Sequence, residues 1–134
     1  MKEKQTAIVN INSFVFYNDT AKFNKFVDSS FGKVHEKQIP NLILDLRQNV
    51  GGDPFCASYL FSYLAQKPFI YYAESYEWYP TLAKLISPKP NAFKGKLYVL
   101  ISGNCLSSAG HFIALLKYHG IGVLIGNETG GNYT

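Results

Sequence analysis

The chain has 134 residues, of which 47% are hydrophobic, 16% aromatic and 16% charged. That length and apolar content suit one domain with its own core, which excludes intrinsic disorder and leaves no room for a second domain. Thirteen Lys and Arg against nine Asp and Glu give a net charge of +4, but the lysines are scattered and form no basic block, so no nucleic-acid partner is expected. No run approaches the roughly 18 apolar residues of a spanning helix, so no membrane span is expected either. Cys56 and Cys105 stand at no metal-ligand spacing. They read as two buried thiols, with neither a metal nor an organic cofactor implied.

In chain order, residues 6–16 are β-branched and aromatic with partial alternation and predict a strand. Asn18 or Asp19 then caps a helix whose apolar positions Phe23, Phe26, Val27, Phe31 and Val34 follow the helical period. Residues 41–47 predict a second, buried strand, completing a βαβ unit. After it, Gly51-Gly52 makes a turn, Asp53 stands at an N-cap and Pro54 at the first helical position, and a helix runs through Leu64 to stop before Pro68. Residues 69–72 are a short strand candidate. Residues 74–93 are irregular, with a short helix expected over 82–86. Residues 96–102 predict a buried strand. Ser107 then caps a helix that ends at His119-Gly120, and residues 121–126 form the final strand.

Three of these strands end in polar, glycine-bearing turns, at 46–52, 102–108 and 126–131. In a parallel sheet such ends lie side by side and form one site. Ser108 sits at the bend between a strand and a helix, where free backbone N–H groups can hold an oxyanion, and so is a candidate nucleophile. A serine-rich cap serving only the helix is the alternative reading of the same stretch. Gly51 and Gly52 let backbone N–H groups approach a ligand, and one of them with the N–H of Ala109 would form a two-donor oxyanion hole. A tight structural turn is the alternative there. Arg47 reads as a structural ion pair or turn anchor.

The segments Asp45-Leu46-Arg47-Gln48-Asn49-Val50-Gly51-Gly52, Ser107-Ser108-Ala109-Gly110 and Ile125-Gly126-Asn127-Glu128-Thr129-Gly130-Gly131 resemble the three signatures of the S41 serine peptidases. That family contains the C-terminal processing, or tail-specific, proteases and the tricorn protease core. The resemblance spans about residues 8–134. It implies an α/β fold of ClpP/crotonase type, with a mostly parallel sheet flanked by helices, acting on a peptide or protein substrate. Matched to the family pattern, Ser108 falls on the nucleophile, and Ala109 and the Gly51-Gly52 turn fall on the oxyanion donors. A cell-envelope, periplasmic or secreted location is also implied.

The chain departs from the family at the general base. The lysine of the processing proteases is absent, its place being held by Asn132 or Tyr133, and no lysine follows Lys117. A tricorn-like histidine would have to be His35, expected at a helix end. His111, three residues after Ser108 and on the same helical face, is the other candidate base, with capping or core hydrogen bonding as its alternative role. His119 reads as a partner of a helix dipole. The expectation is therefore one S41-like core domain over residues 1–134, truncated at its C-terminus, with a further segment or a second copy as the alternative source of the base. A peptide- or glycan-binding domain that has lost its base is the competing reading. Crotonase-like acyl-CoA chemistry is a third, without a phosphate- or adenine-binding signature to support it.

Overall fold

The computed structural model describes residues 5–127. Four parallel strands form the main sheet in the order β1-β2-β5-β6: β1 Thr6–Asn10, β2 Asn41–Asp45, β5 Lys96–Ile101 and β6 Val123–Gly126. Between them run α1 Thr20–Glu36, α2 Pro54–Ser62 and α3 Ser108–Tyr118. A two-stranded antiparallel ribbon, β3 Phe69–Ile70 with β4 Leu85–Ile86, is inserted after α2. This is the α/β architecture expected, with the sheet parallel throughout.

Alternation along the strands gives the sheet two unlike faces. The register places Val9, Leu44, Val99 and Leu124 in one row and Ala7, Leu42 and Leu97 in the next. Leu42, Leu44 and Val99 are fully buried among Phe23, Val27 and Phe31 of α1, Leu60 and Phe61 of α2, and Phe112 and Leu116 of α3. The helices thus cover one face, with α2 packed against both α1 and α3. The opposite face carries Ile8, Ile43, Tyr98 and Val123 in one row, and its edges are open: Ile8 is 62% and Val123 54% exposed.

Local sequence accounts for the helix starts. The Asp19 carboxylate accepts from the Lys22 N–H at 3.1 Å and that of Asp53 from the Phe55 N–H at 2.8 Å, so each satisfies a donor that the first turn leaves free. Along α1, Phe23, Val27, Phe31 and Val34 recur at helical spacing and are the buried positions, while Phe26 is half exposed. The α1–α2 contact adds a polar tie, in which the hydroxyls of Tyr59 and Tyr63 both donate to Asp28 Oδ1.

Two expectations are corrected. The first strand ends at Asn10 rather than Phe16, because the following residues pair with the glycine turn: Phe14 N–H donates to Gly51 O at 3.0 Å and Asp53 N–H to Phe14 O at 2.7 Å. The short helix expected over 82–86 is a 3-10 turn at Pro80–Ala83 followed by β4. Pro80 starts that turn, and Lys84, at φ −101° and ψ 161°, is already extended, so Leu85 and Ile86 pair with β3 instead.

Candidate active site

The carboxyl ends of β2 and β5 meet, and the turns that leave them are tied together. Ser102 Oγ donates to Arg47 O at 2.7 Å, and the Cys105 thiol donates to Leu46 O at 3.1 Å. Both cysteines are buried and unpaired, as the sequence predicts. Arg47 makes its expected ion pair with Asp45 at 2.9 Å. Its guanidinium holds the Asp45 carboxyl below its ordinary value.

The 46–53 turn is built around Asn49, which is fully buried. Its side-chain N–H donates to Ile11 O at 3.1 Å, and its Oδ1 accepts from the Gly51 N–H at 2.9 Å. One carboxamide thus fixes the tail of β1 and the start of the glycine pair. Gly51 and Gly52 have φ of +108° and +140°, in the region that favours glycine. Space demands glycine as well: a Cβ on Gly51 would lie 2.8 Å from Leu106 O, and one on Gly52 would lie 2.3 Å from the Phe14 carbonyl carbon.

The second turn, residues 102–107, enters α3 through a bend at Ser107, with φ 53° and ψ −125°. A serine with positive φ costs about 1–3 kcal/mol and persists only where its surroundings enforce it. Ser107 occupies the N-cap position that the sequence indicates. Its side chain makes no capping bond, and the residue is exposed at the positive end of the helix. A strained strand-to-helix turn that exposes a serine hydroxyl is a known way of presenting a nucleophile.

Ser108, the nucleophile candidate from the sequence, is placed differently. It is 8% exposed, and its Oγ donates to Gly52 O at 2.7 Å. Ala109, the expected oxyanion donor, is fully buried and spends its N–H on Leu106 O at 3.0 Å. Among the described residues the N–H groups of Ser108 and Gly52 have no acceptor. The glycine turn stands close to the elbow, since the position of a Cβ on Gly51 is 3.0 Å from Ser107 Cβ and 3.1 Å from Ser108 N.

His111 lies one helical turn further along α3. Its Nε2 is 2.9 Å from Tyr71 O. A carbonyl only accepts, so Nε2 is the donor in this contact. No hydrogen bond joins His111 to either serine, and among the described residues no imidazole, amine or carboxylate does so. His35 and His119 close α1 and α3 at the amino ends of the strands, away from the turns. The third signature enters the described residues only as far as Asn127. Glu128–Gly131, Asn132 and Tyr133 lie outside them.

The Ser107 bend was legible as a cap but not as a strained elbow, because a one-residue shift in the start of α3 decides which serine faces out. Asn49 was missed as a site builder. Its signal was a polar residue two before a Gly-Gly pair, which is where an Asx turn places its acceptor.

No helix among the described residues is long and apolar enough to cross a membrane, and they contain no cluster of three or more His, Cys, Asp or Glu that could hold a metal. A comparison with curated proteins finds no significant sequence match. Solved structures share the fold. A candidate peptidase from Parabacteroides merdae superposes with a TM-score of 0.70 at 18% identity over 98% of this chain and 42% of its own. A photosystem II D1 C-terminal processing protease gives 0.68 at 18% identity over 92% of this chain and 30% of its own. A lipoprotein from Streptococcus agalactiae gives 0.59 at 18% identity over 92% and 46%. The chain therefore spans less than half the length of each of these proteins. The sequence pattern of Peptidase family S41 matches residues 5–134, nearly the whole chain, and so includes both serine-bearing and glycine-bearing turns. The chain belongs to peptidase family S41.

Proposed function

We propose that this chain carries the nucleophile and oxyanion donors of a serine peptidase, and that the nucleophile is Ser107 rather than its neighbour Ser108. The observation that carries the assignment is the backbone of Ser107: exposed, at positive φ, at the N-terminus of α3, with a hydroxyl free of any capping bond. Ser107 Oγ attacks the carbonyl carbon of a peptide bond. The oxyanion is held by the free N–H groups of Ser108 and Gly52, aided by the helix dipole. The C–N bond then breaks, the amine leaves with a proton, and water hydrolyses the acyl-enzyme. Ser108 is a positioning residue, because its hydroxyl pins the Gly52 carbonyl and so aims the Gly52 peptide. His111 offers only Nδ1 as a base, with Nε2–H committed to Tyr71 O.

Fluorophosphonate labelling tests the assignment. Labelling should be lost in Ser107→Ala and in Ser107→Gly, and should persist, slowed, in Ser108→Ala. Ser107→Gly should also unfold at higher temperature, since glycine relieves the positive φ. Loss of labelling in Ser108→Ala alone would return the nucleophile to Ser108. The competing reading, peptide binding without hydrolysis, is favoured by the absence of a base hydrogen-bonded to either serine among the described residues. No labelling of the unsubstituted chain, with peptide binding intact, would select it. A cell-envelope or secreted location accords with the fold shared with a lipoprotein.

A further inference from the structure

Residues 71–79, Tyr-Tyr-Ala-Glu-Ser-Tyr-Glu-Trp-Tyr, border the site just described. The His111 imidazole anchors the segment through Tyr71 O, and its ring lies 5.0 Å from that of Tyr71 and 5.1 Å from that of Tyr72. From Tyr72 the rings continue outward to Tyr76 at 5.0 Å and Tyr79 at 6.5 Å. Tyr79 in turn meets Phe55 at 5.0 Å, two residues beyond the glycine turn's Asp53. Burial first, then Tyr79, Tyr76, Asp53 and Tyr17, raise the Tyr72 phenol to about 12, which marks these groups as neighbours. The result is a continuous aromatic wall from His111 to the glycine turn. Tyr76, its outer member, is 48% exposed, and two further aromatic residues are more exposed still: Trp78 on the same segment at 79%, and Tyr17, a neighbour of Tyr72, at 58%. Aromatic residues exposed together in this way mark a binding surface, whereas single ones need no explanation.

The charge around this wall runs against that of the chain. The chain is +4, yet the segments bordering the site (11–19, 46–53, 71–79 and 102–107) carry Asp19, Asp53, Glu74 and Glu77 against Arg47 alone. Arg47 is itself engaged by Asp45. Ring faces with carboxylates at their edge are the chemistry that holds a cation. The molecule uses the same chemistry internally, where Lys89 Nζ lies 4.3 Å over the ring of Tyr59, whose hydroxyl is bonded to Asp28.

We propose that this acid-edged aromatic wall receives a lysine or arginine side chain of the peptide substrate, beside the bond presented to Ser107. The proposal deepens the peptidase reading and rests on it for the identity of the ligand as a peptide. Glu74 and Glu77 supply the charge and Tyr76 and Trp78 the ring faces. His111, through Tyr71 O, holds the wall against α3.

The test is binding, so that it does not depend on hydrolysis. Blocked hexapeptides that differ only in a central Lys, Arg, Leu or Glu are titrated into the Ser107→Gly chain. The readout is the fluorescence of Trp78, the chain's single tryptophan. The Lys and Arg peptides are expected to bind about tenfold or more tightly than the Leu peptide. That margin should shrink severalfold in Glu74→Gln/Glu77→Gln and in Tyr76→Ala, with circular dichroism confirming the fold of each variant. Equal or tighter binding of the Leu or Glu peptide, a Lys preference unchanged in the double variant, or no binding of any peptide would overturn the proposal. Fluorophosphonate labelling of the unsubstituted chain separates the two readings. Labelling without a basic preference removes the wall's role alone, and a basic preference without labelling removes hydrolysis alone.

Discussion

Asn49→Ala is the substitution that most directly probes how the site is built. The Asn49 carboxamide is fully buried and makes two long-lever contacts, to Ile11 O at 3.1 Å and from the Gly51 N–H at 2.9 Å. Alanine removes both and leaves a buried donor and a buried acceptor without partners. At about 1–2 kcal/mol for each group left unsatisfied, the expected loss is about 2–4 kcal/mol. Unfolding entropy of about 2.1 cal/mol/K per residue gives about 0.28 kcal/mol/K for a chain of 134 residues, so Tm should fall by about 7–14 °C. Urea unfolding followed by far-UV circular dichroism measures the loss at constant temperature, and an unchanged m-value would show that the folded and unfolded states keep their surfaces. Because Gly51 is freed at the same time, fluorophosphonate labelling of Ser107 should slow by more than the loss of folded protein explains. A loss below about 1 kcal/mol with labelling intact would refute the reasoning, since the glycine turn would then be held by its backbone bonds to Phe14 alone.

Gly52→Ala should be more severe. The new Cβ would meet the backbone of Phe14 and Val15 at 2.3–2.4 Å, where no flexible side chain can yield, and φ is +140°. A loss of about 3 kcal/mol or more is expected in urea unfolding, and a variant within about 1 kcal/mol of the parent would mean that the turn can relax. Asp45→Asn should act through pH. The Asp45 carboxyl is held below its ordinary value of 3.8, first by the side-chain hydrogen bond from Arg47, so its folded-state pKa lies below the unfolded one. The stabilisation it brings is complete above the unfolded value and is lost as pH falls through the folded value. Stability curves of parent and variant should therefore be separated at neutral pH and converge on acidification. A gap that widens toward low pH would contradict the pairing.

The parts of the molecule that could be read from sequence are those whose pattern is local. Phe23, Val27, Phe31 and Val34 announce α1 by their spacing, and Asp19, Asp53 and Pro54 announce helix starts by the donors they satisfy or lack. The runs 41–47 and 96–102 are apolar enough to be strands in any context, and the turns that leave them are tied together through Ser102 and Cys105. What escaped is what depends on distant partners. The tail of β1 looks like strand through Phe16, yet Phe14 is captured by Gly51 and Asp53. Leu85 and Ile86 look helical until Phe69 and Ile70 offer them an edge. The positive φ of Ser107 is likewise a backbone feature that no spacing of side chains encodes.

That dihedral is intelligible only from both turns at once. Positive φ at Ser107 is unfavourable by itself, and the glycine turn gains nothing from standing alone. Leu106 O, Ser107 Cβ and Ser108 N crowd the space where a Gly51 side chain would be, so the elbow can close down only on a glycine. In return, the Ser108 hydroxyl bonds Gly52 O, and Gly51 O and Phe14 O tie the turn to the tail of β1. Beneath the elbow, Ala109, Phe112 and Leu116 are fully buried, which keeps the first turns of α3 from sliding to relieve the strain. Each turn thus holds the other in a conformation that it would not keep alone, and the two N–H groups left without acceptors among the described residues, those of Ser108 and Gly52, belong to these two turns. Relaxing either turn should therefore cost the proposed oxyanion hole before it costs the fold. This is the reason to read Asn49, which bonds no serine, as part of the proposed site's architecture.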